Sequence, residues 1–191
     1  MNEFLLPLLF LCGLMAPLAI SAVTGDQRVE LWLDRVVRGA FALSSVCVLV
    51  LMLVQVAVVI LRSVFSISFI WLQESTLYLF GAMFLLSSGA LLLTEGHVRV
   101  DIFYGKLTAQ QRHMVDLAGM VLFVLPVSAL IILVSWNYVM TSWAQLERSQ
   151  EASGIHAVFL MKSMIPAFAT LLILAAELRI IDLIRRLRTA E

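Results

Sequence analysis

Charge is scarce in this chain. Thirteen Lys and Arg face thirteen Asp and Glu among 191 residues, 14% in all, for a formal net charge of zero. A soluble domain carries about 25% charged residues, so the soluble classes are excluded, and there is no basic excess for a nucleic acid to use. Cysteine is scarcer still. Cys12 and Cys47 both fall inside apolar runs, whereas a membrane thiol oxidoreductase needs exposed pairs facing an oxidising compartment; both read as buried core residues. A bis-histidine haem needs ligands facing each other across a bundle. Of the three histidines, His97 and His113 flank one loop and His156 lies at the opposite end, so no haem, other cofactor or metal is expected here. No His, Asp or Glu falls near the middle of an apolar run, which leaves no proton or ion path within this chain alone. Neither internal repeats nor low-complexity linkers occur.

What is present is apolar length. Hydrophobic residues make up 62% of the chain and the mean hydropathy is +1.01. A hydrocarbon core of about 30 Å takes about 20 helical residues to cross. Four runs qualify: Gly39 to Leu61, Ser75 to Leu93, Leu117 to Trp136, and Ala157 to Ala176, the last interrupted only by Lys162. The expected fold is all-α, a polytopic membrane protein of four transmembrane helices. A fifth run, Phe4 to Thr24, is long enough to cross but contains Pro7 and Pro17, which remove backbone donors and bend a helix. It reads as an extra span, as a bent interfacial segment, or as a cleaved signal. AISA at Ala19 to Ala22 suits the last reading, and the absence of Lys or Arg from MNEF opposes it. The domain division is thus 1–25, an N-terminal apolar helix, and 26–191, one four-helix unit.

Loops retained in the cytoplasm carry the excess of Lys and Arg. Arg28, Arg35 and Arg38 precede the first sure span, Arg99, Lys106 and Arg112 separate the second and third, and Arg179, Arg185, Arg186 and Arg188 follow the fourth. The other side holds only Arg62, Arg148 and Lys162. Both ends of the four-span unit are therefore expected in the cytoplasm, with an outward N-terminus if Phe4 to Thr24 also crosses. Ser63 to Leu72 fits a short hairpin in the outer headgroup layer with Trp71 at the interface, and Ser142 to His156 is the only outer loop of any size. After Ala176, Leu178, Ile181 and Ile184 share one helical face and Asp182 can pair with Arg185 or Arg186, a basic amphipathic end at the inner leaflet.

Four short motifs add a family likeness. WLQE (Trp71 to Glu74), GHVRVDIFYG (Gly96 to Gly105), ERS (Glu147 to Ser149) and MKSMIP (Met161 to Pro166) resemble the small membrane subunit, the DctQ or Q type, of tripartite ATP-independent periplasmic (TRAP) transporters. The resemblance runs from about Asp34 to Glu177, is nearest the branch associated with mannitol or chloroaromatic compounds, and omits Phe4 to Thr24. One departure is Gly154, Ile155 and His156 where the family often has Gly-Leu-Pro. The resemblance implies an accessory scaffold in the bacterial inner membrane. It would pack against a large multi-span subunit that holds the sodium ions and moves an organic acid delivered by a periplasmic binding protein. The alternative is a free-standing small membrane redox or assembly factor.

Candidate partner contacts follow. Gly81, Ser87, Ser88, Gly89 and Ala90 give the second span a face that lets another helix approach. His97, Arg99 and Asp101 alternate with Val98, Val100 and Ile102, a polar and an apolar face that fit an inner anchor. An ordinary solvated loop is the plainer reading, and no nucleophile accompanies the segment to suggest catalysis. Glu74, beside Trp71, either holds the first hairpin or touches a partner. With Glu147, Ser149 and Lys162 from the family motifs, these complete the candidates.

Overall fold

The computed structural model of the chain describes residues 5–24, 27–94, 104–105 and 107–189. Among them regular structure is entirely helical: α1 Leu5–Thr24, α2 Gln27–Val64, α3 Ile70–Leu93, α4 Ala109–Ala144 and α5 Val158–Thr189. The last four are long and apolar enough to cross a membrane; α1 is a shorter apolar companion. At 1.5 Å per residue, α2 with 38 residues is about 57 Å long and α5 with 32 about 48 Å, both well beyond a 30 Å hydrocarbon core. The surplus lies at one end, where Gln27 to Arg38 of α2 runs beside the last turns of α5. This is the basic end of the bundle; the α2–α3 and α4–α5 connections form the opposite, loop end.

α5 is the centre. All four other helices pack on it, with α2 and α3 adjacent along one side and α4 on the other. Its burial is nearly continuous from Ala169 through Leu183, and small residues make the approach close. A Cβ on Gly89 of α3 would lie 2.9 Å from the Leu171 carbonyl oxygen, and one on Gly81 would lie 3.5 Å from Met164 Sδ. Over Leu125–Ala144 of α4 the buried residues are Ser128, Ile132, Ser135, Val139 and Ser142, a three–four repeat that aims a narrow stripe at the neighbouring helix. The basic amphipathic end expected after Ala176 is the direct continuation of α5, with Ile180, Ile181 and Leu183 buried. Leu33 and Val37 of α2 close over Leu174 and Ala175 there.

Pro126 shapes α4. A helical proline has no N–H to donate and crowds the carbonyl four residues back. The turn before it opens into a π segment, Met120 to Val124, in which the Leu125 N–H reaches the Met120 carbonyl five residues back. Met120 is thereby turned inward against Ala176 and Ile180.

α1 lies in the groove of α4 and α5. Phe10 meets Trp136 with ring centroids 5.5 Å apart, and Leu11, Leu14 and Met15 pack against Ile132, Ala169 and Ile173. Leu14 also reaches the cluster of Leu33, Val37 and Leu174. Phe10 is thus level with the half of α4 nearer the loop end and Leu14 lies deeper, so α1 descends toward the basic end. One expectation fails here. Cys47 is buried as expected, but Cys12 is exposed, because α1 rests on the bundle by one face only and Cys12 sits on the other.

Candidate functional site

The loop end is built by a sharp stop to α4. Leu146 takes a left-handed conformation, φ 45°; its N–H bonds the Trp143 carbonyl and the Glu147 N–H bonds that of Ser142. This paired pattern reverses the chain at a helix C-terminus, and it folds Glu147 back over the last turn. The Ser142 hydroxyl donates to Glu147 Oε2 at 2.6 Å, and Lys162 Nζ from α5 donates to the same oxygen at 2.5 Å. Lys162 also lies 4.0 Å from the centroid of the Tyr138 ring, so the ammonium is held between a carboxylate and a π face. The Lys162 ammonium, then the Ser142 hydroxyl, hold the Glu147 carboxyl below its ordinary range. Trp143 adds a third tie to α5, its Nε1 donating to Ser163 Oγ at 2.7 Å.

Glu74 closes the same end from α3. Its Oε1 accepts from the Ser149 hydroxyl and its Oε2 from the Ile155 N–H, the latter at 2.6 Å. The loop is pinched where the Ser149 N–H meets the Ile155 carbonyl and the Val158 N–H meets that of Glu147. Gly154 stands at the crossing. A Cβ there would fall 2.5 Å from Ser149 Cβ and 2.8 Å from Glu74 Oε1, so only glycine lets the carboxylate in. Beside this clasp, Asn137, Tyr138, Thr141, Gln145 and Lys162 line an open cleft of about 420 Å³.

The basic end is looser. Arg38 pairs with Asp34 at 2.7 Å and Arg186 with Asp182 at 2.9 Å, each within one helix. Arg185 clamps Glu30 of α2, with Nη1 to Oε2 at 2.8 Å. Asp182 thus takes Arg186 of its two expected partners, and Arg185 crosses to α2. Tyr104 donates to Asp116 Oδ2 at 3.0 Å, and Thr108 caps α4 in a reciprocal capping box with Gln111. Glu177 is fully buried among the helices here.

The sequence candidates sort into four groups. Glu74, Glu147, Ser149 and Lys162, drawn from three separate motifs, meet in the clasp. Glu74 holds the α4–α5 loop rather than the first hairpin, which is closed instead by Gln73 donating to Ser68 at 2.7 Å. Gly81 and Gly89 are occupied by this chain's own α5. Trp71 is half-exposed in the first turn of α3, 6.1 Å from the Phe69 ring. His97, Arg99 and Asp101 lie outside the described residues. Sequence reasoning missed Ser142, Tyr138 and Gly154 as members of the clasp, although the serine spacing 128, 135, 142 already marked a buried stripe. The clasp is built to hold segments together, since each donor and acceptor in it is turned on another part of the chain.

Comparison with protein families gives a match over residues 50–186 to the DctQ component of tripartite ATP-independent periplasmic transporters. No curated protein and no solved structure matches. The matched region contains the whole clasp, the α3–α5 seam and the π segment, and leaves out α1 and the first half of α2.

Proposed function

Since the chain belongs to the DctQ component family of tripartite ATP-independent periplasmic transporters, we propose that it is the small membrane subunit that braces a large sodium-coupled subunit during import of an organic acid. A periplasmic binding protein would deliver that acid. The family match over 50–186 carries this reading, and the physical character of the bundle supports it. The apolar runs hold no His, Asp or Glu near their middle, which supports assigning the sodium sites to the large subunit. Around the bundle, α2 shows Leu49, Met52, Leu53 and Val56, and α4 shows Leu122, Phe123, Leu130 and Val134. These apolar faces suit contact with lipid or with a second membrane subunit. The excess of Lys and Arg at the basic end favours a bacterial inner-membrane orientation with the C-terminus in the cytoplasm and the clasp facing the periplasm.

Reconstitution tests the proposal. Purified alone in proteoliposomes, the chain should support no uptake of organic acid under a sodium gradient. Co-reconstituted with its large subunit, and with the binding protein added outside, it should support sodium-dependent uptake that stops when this chain is omitted. Uptake by this chain alone, or undiminished uptake without it, overturns the reading.

A further inference from the structure

A cleft of about 350 Å³ opens at the basic end between the first turns of α4 and the last turns of α5. Tyr104, Arg112, His113, Asp116, Arg179 and Arg186 supply its polar wall, with Ala109 and Leu183 beside them. We propose that this cleft binds the phosphate of an anionic phospholipid.

Three features converge on that ligand. The first is charge. Among the described residues the wall holds three guanidinium groups against one carboxylate. Asp182 pairs with Arg186 at 2.9 Å and lies 3.8 Å from Arg179, and Asp116 lies 3.9 Å from Arg179, so the charge offered to a ligand is chiefly that of Arg112. Arg112 stands out. Its Nε donates to the Leu107 carbonyl and its Nη2 to the Gly105 carbonyl, both at 3.1 Å, and its guanidinium lies 5.5 Å from the centroid of the Tyr104 ring. These contacts are neutral and orient the fork while leaving its charge to act on a ligand, and guanidinium geometry suits phosphate oxygens.

The second feature is depth. Asp116 is the last charged residue before the uncharged run that begins at Leu117, so the cleft sits where headgroups meet hydrocarbon. The third is the neighbouring surface. Met114 and Val115, in the same turn of α4 as Arg112 and His113, are about half-exposed, and Val121 and Leu122 continue an exposed apolar surface further along the helix. A phosphodiester seated among the arginines can run its acyl chains along that surface, which a free phosphate cannot use. The excess charge favours a lipid of net negative charge over a zwitterionic one.

The test uses the full chain in mild detergent and native mass spectrometry, with phosphatidylglycerol, phosphatidylcholine or inorganic phosphate added separately. Phosphatidylglycerol should be retained in preference to phosphatidylcholine, and inorganic phosphate should not be retained. Arg112→Gln should weaken phosphatidylglycerol retention about five-fold, the effect expected for one arginine near a lipid surface. Arg112→Lys should restore part of it, and Arg62→Gln at the loop end should leave it unchanged. Circular dichroism of each variant separates lost binding from lost folding, and Arg186→Gln provides a second removal of charge from the wall. No lipid preference in the wild-type chain, equal retention by the folded Arg112→Gln and Arg186→Gln variants, or retention of inorganic phosphate in place of lipid overturns the proposal.

Discussion

At the loop end, Glu74 and Lys162 each bind a segment far away in the chain: Glu74 reaches residues 75 and 81 positions on, and Lys162 reaches back 15 to Glu147. At the basic end, among the described residues, two of the closest ion pairs stay within one helix, four residues apart, while Arg185 with Glu30 joins α5 to α2 and Arg179 with Asp116, at 3.9 Å, joins α5 to α4. The physical demands differ. Orientation in a membrane depends on how many positive charges lie near the helix ends, and not on their pairing, so the basic end tolerates exposed and redundant arginines. The loop end has few charges and must fix a long connection. There Glu74, Glu147 and Lys162 each meet a specific hydrogen-bonding partner, and exchanging one of them strands the groups it holds.

The largest expected contrast between the ends comes from adding one methyl group. Gly154→Ala places a Cβ against Ser149 and Glu74 at distances no packed atoms tolerate, and should destabilise the loop end by about 1–3 kcal/mol, the usual cost of overpacking. Gly39→Ala, near the basic end, meets nothing within 4 Å and should stabilise its helix by roughly 0.5–1 kcal/mol. Thermal unfolding in detergent, with proteolysis of the 145–157 loop as a local readout, checks both. A harmless Gly154→Ala would show that the clasp is not closed in solution.

Acid should act on one end before the other. Glu147 titrates below its ordinary value of 4.5 because Lys162 and Ser142 donate to its charged form. A carboxylate depressed by folding contributes stability that is complete above the unfolded value and is lost as pH falls through the lower, folded one. Cleavage of the 145–157 loop should therefore be flat from neutrality to about pH 5 and accelerate in more acidic solution. Glu147→Gln, which cannot ionise, should show faster cleavage already at neutral pH and a weaker response to acid. Equal acid responses in the two proteins would remove Glu147 from the role given to it.

The spans were legible because uncharged stretches of about 20 residues leave few alternatives. What extended past them was not. The last turns of α5 read as a basic amphipathic end and the first turns of α2 only as an inner loop carrying Arg28, Arg35 and Arg38, until packing through Leu33, Val37, Leu174 and Ala175 shows both regions as parts of two long helices. The members of the clasp were visible one by one in WLQE, ERS and MKSMIP, but nothing local pairs Glu74 with Ser149. The small face of α3 reads in the sequence as a surface that lets another helix approach, and nothing local tells that α5 of the same chain packs against Gly81 and Gly89. Cys12 shows the converse: an apolar neighbourhood in sequence does not distinguish a core from a face turned to lipid.

The smallest difference between the ends is one of backbone strain. Among the described residues the non-glycine positions with positive φ are Ser66 and Leu146, both in loop-end connections. Leu146 stands where a helix stop usually has glycine, and a side chain in the left-handed region costs roughly 1–2 kcal/mol. Its side chain is 58% exposed, so replacing it loses little burial. Glycine would relieve the strain and give back part of that gain as chain entropy in the unfolded state, about 0.5–1 kcal/mol. Leu146→Gly should therefore stabilise the loop end by up to about 1 kcal/mol, seen as slower cleavage of the 145–157 loop at unchanged pH. Faster cleavage would mean that Leu146 makes a contact worth more than its strain, and would direct attention to what covers this turn in the assembled transporter.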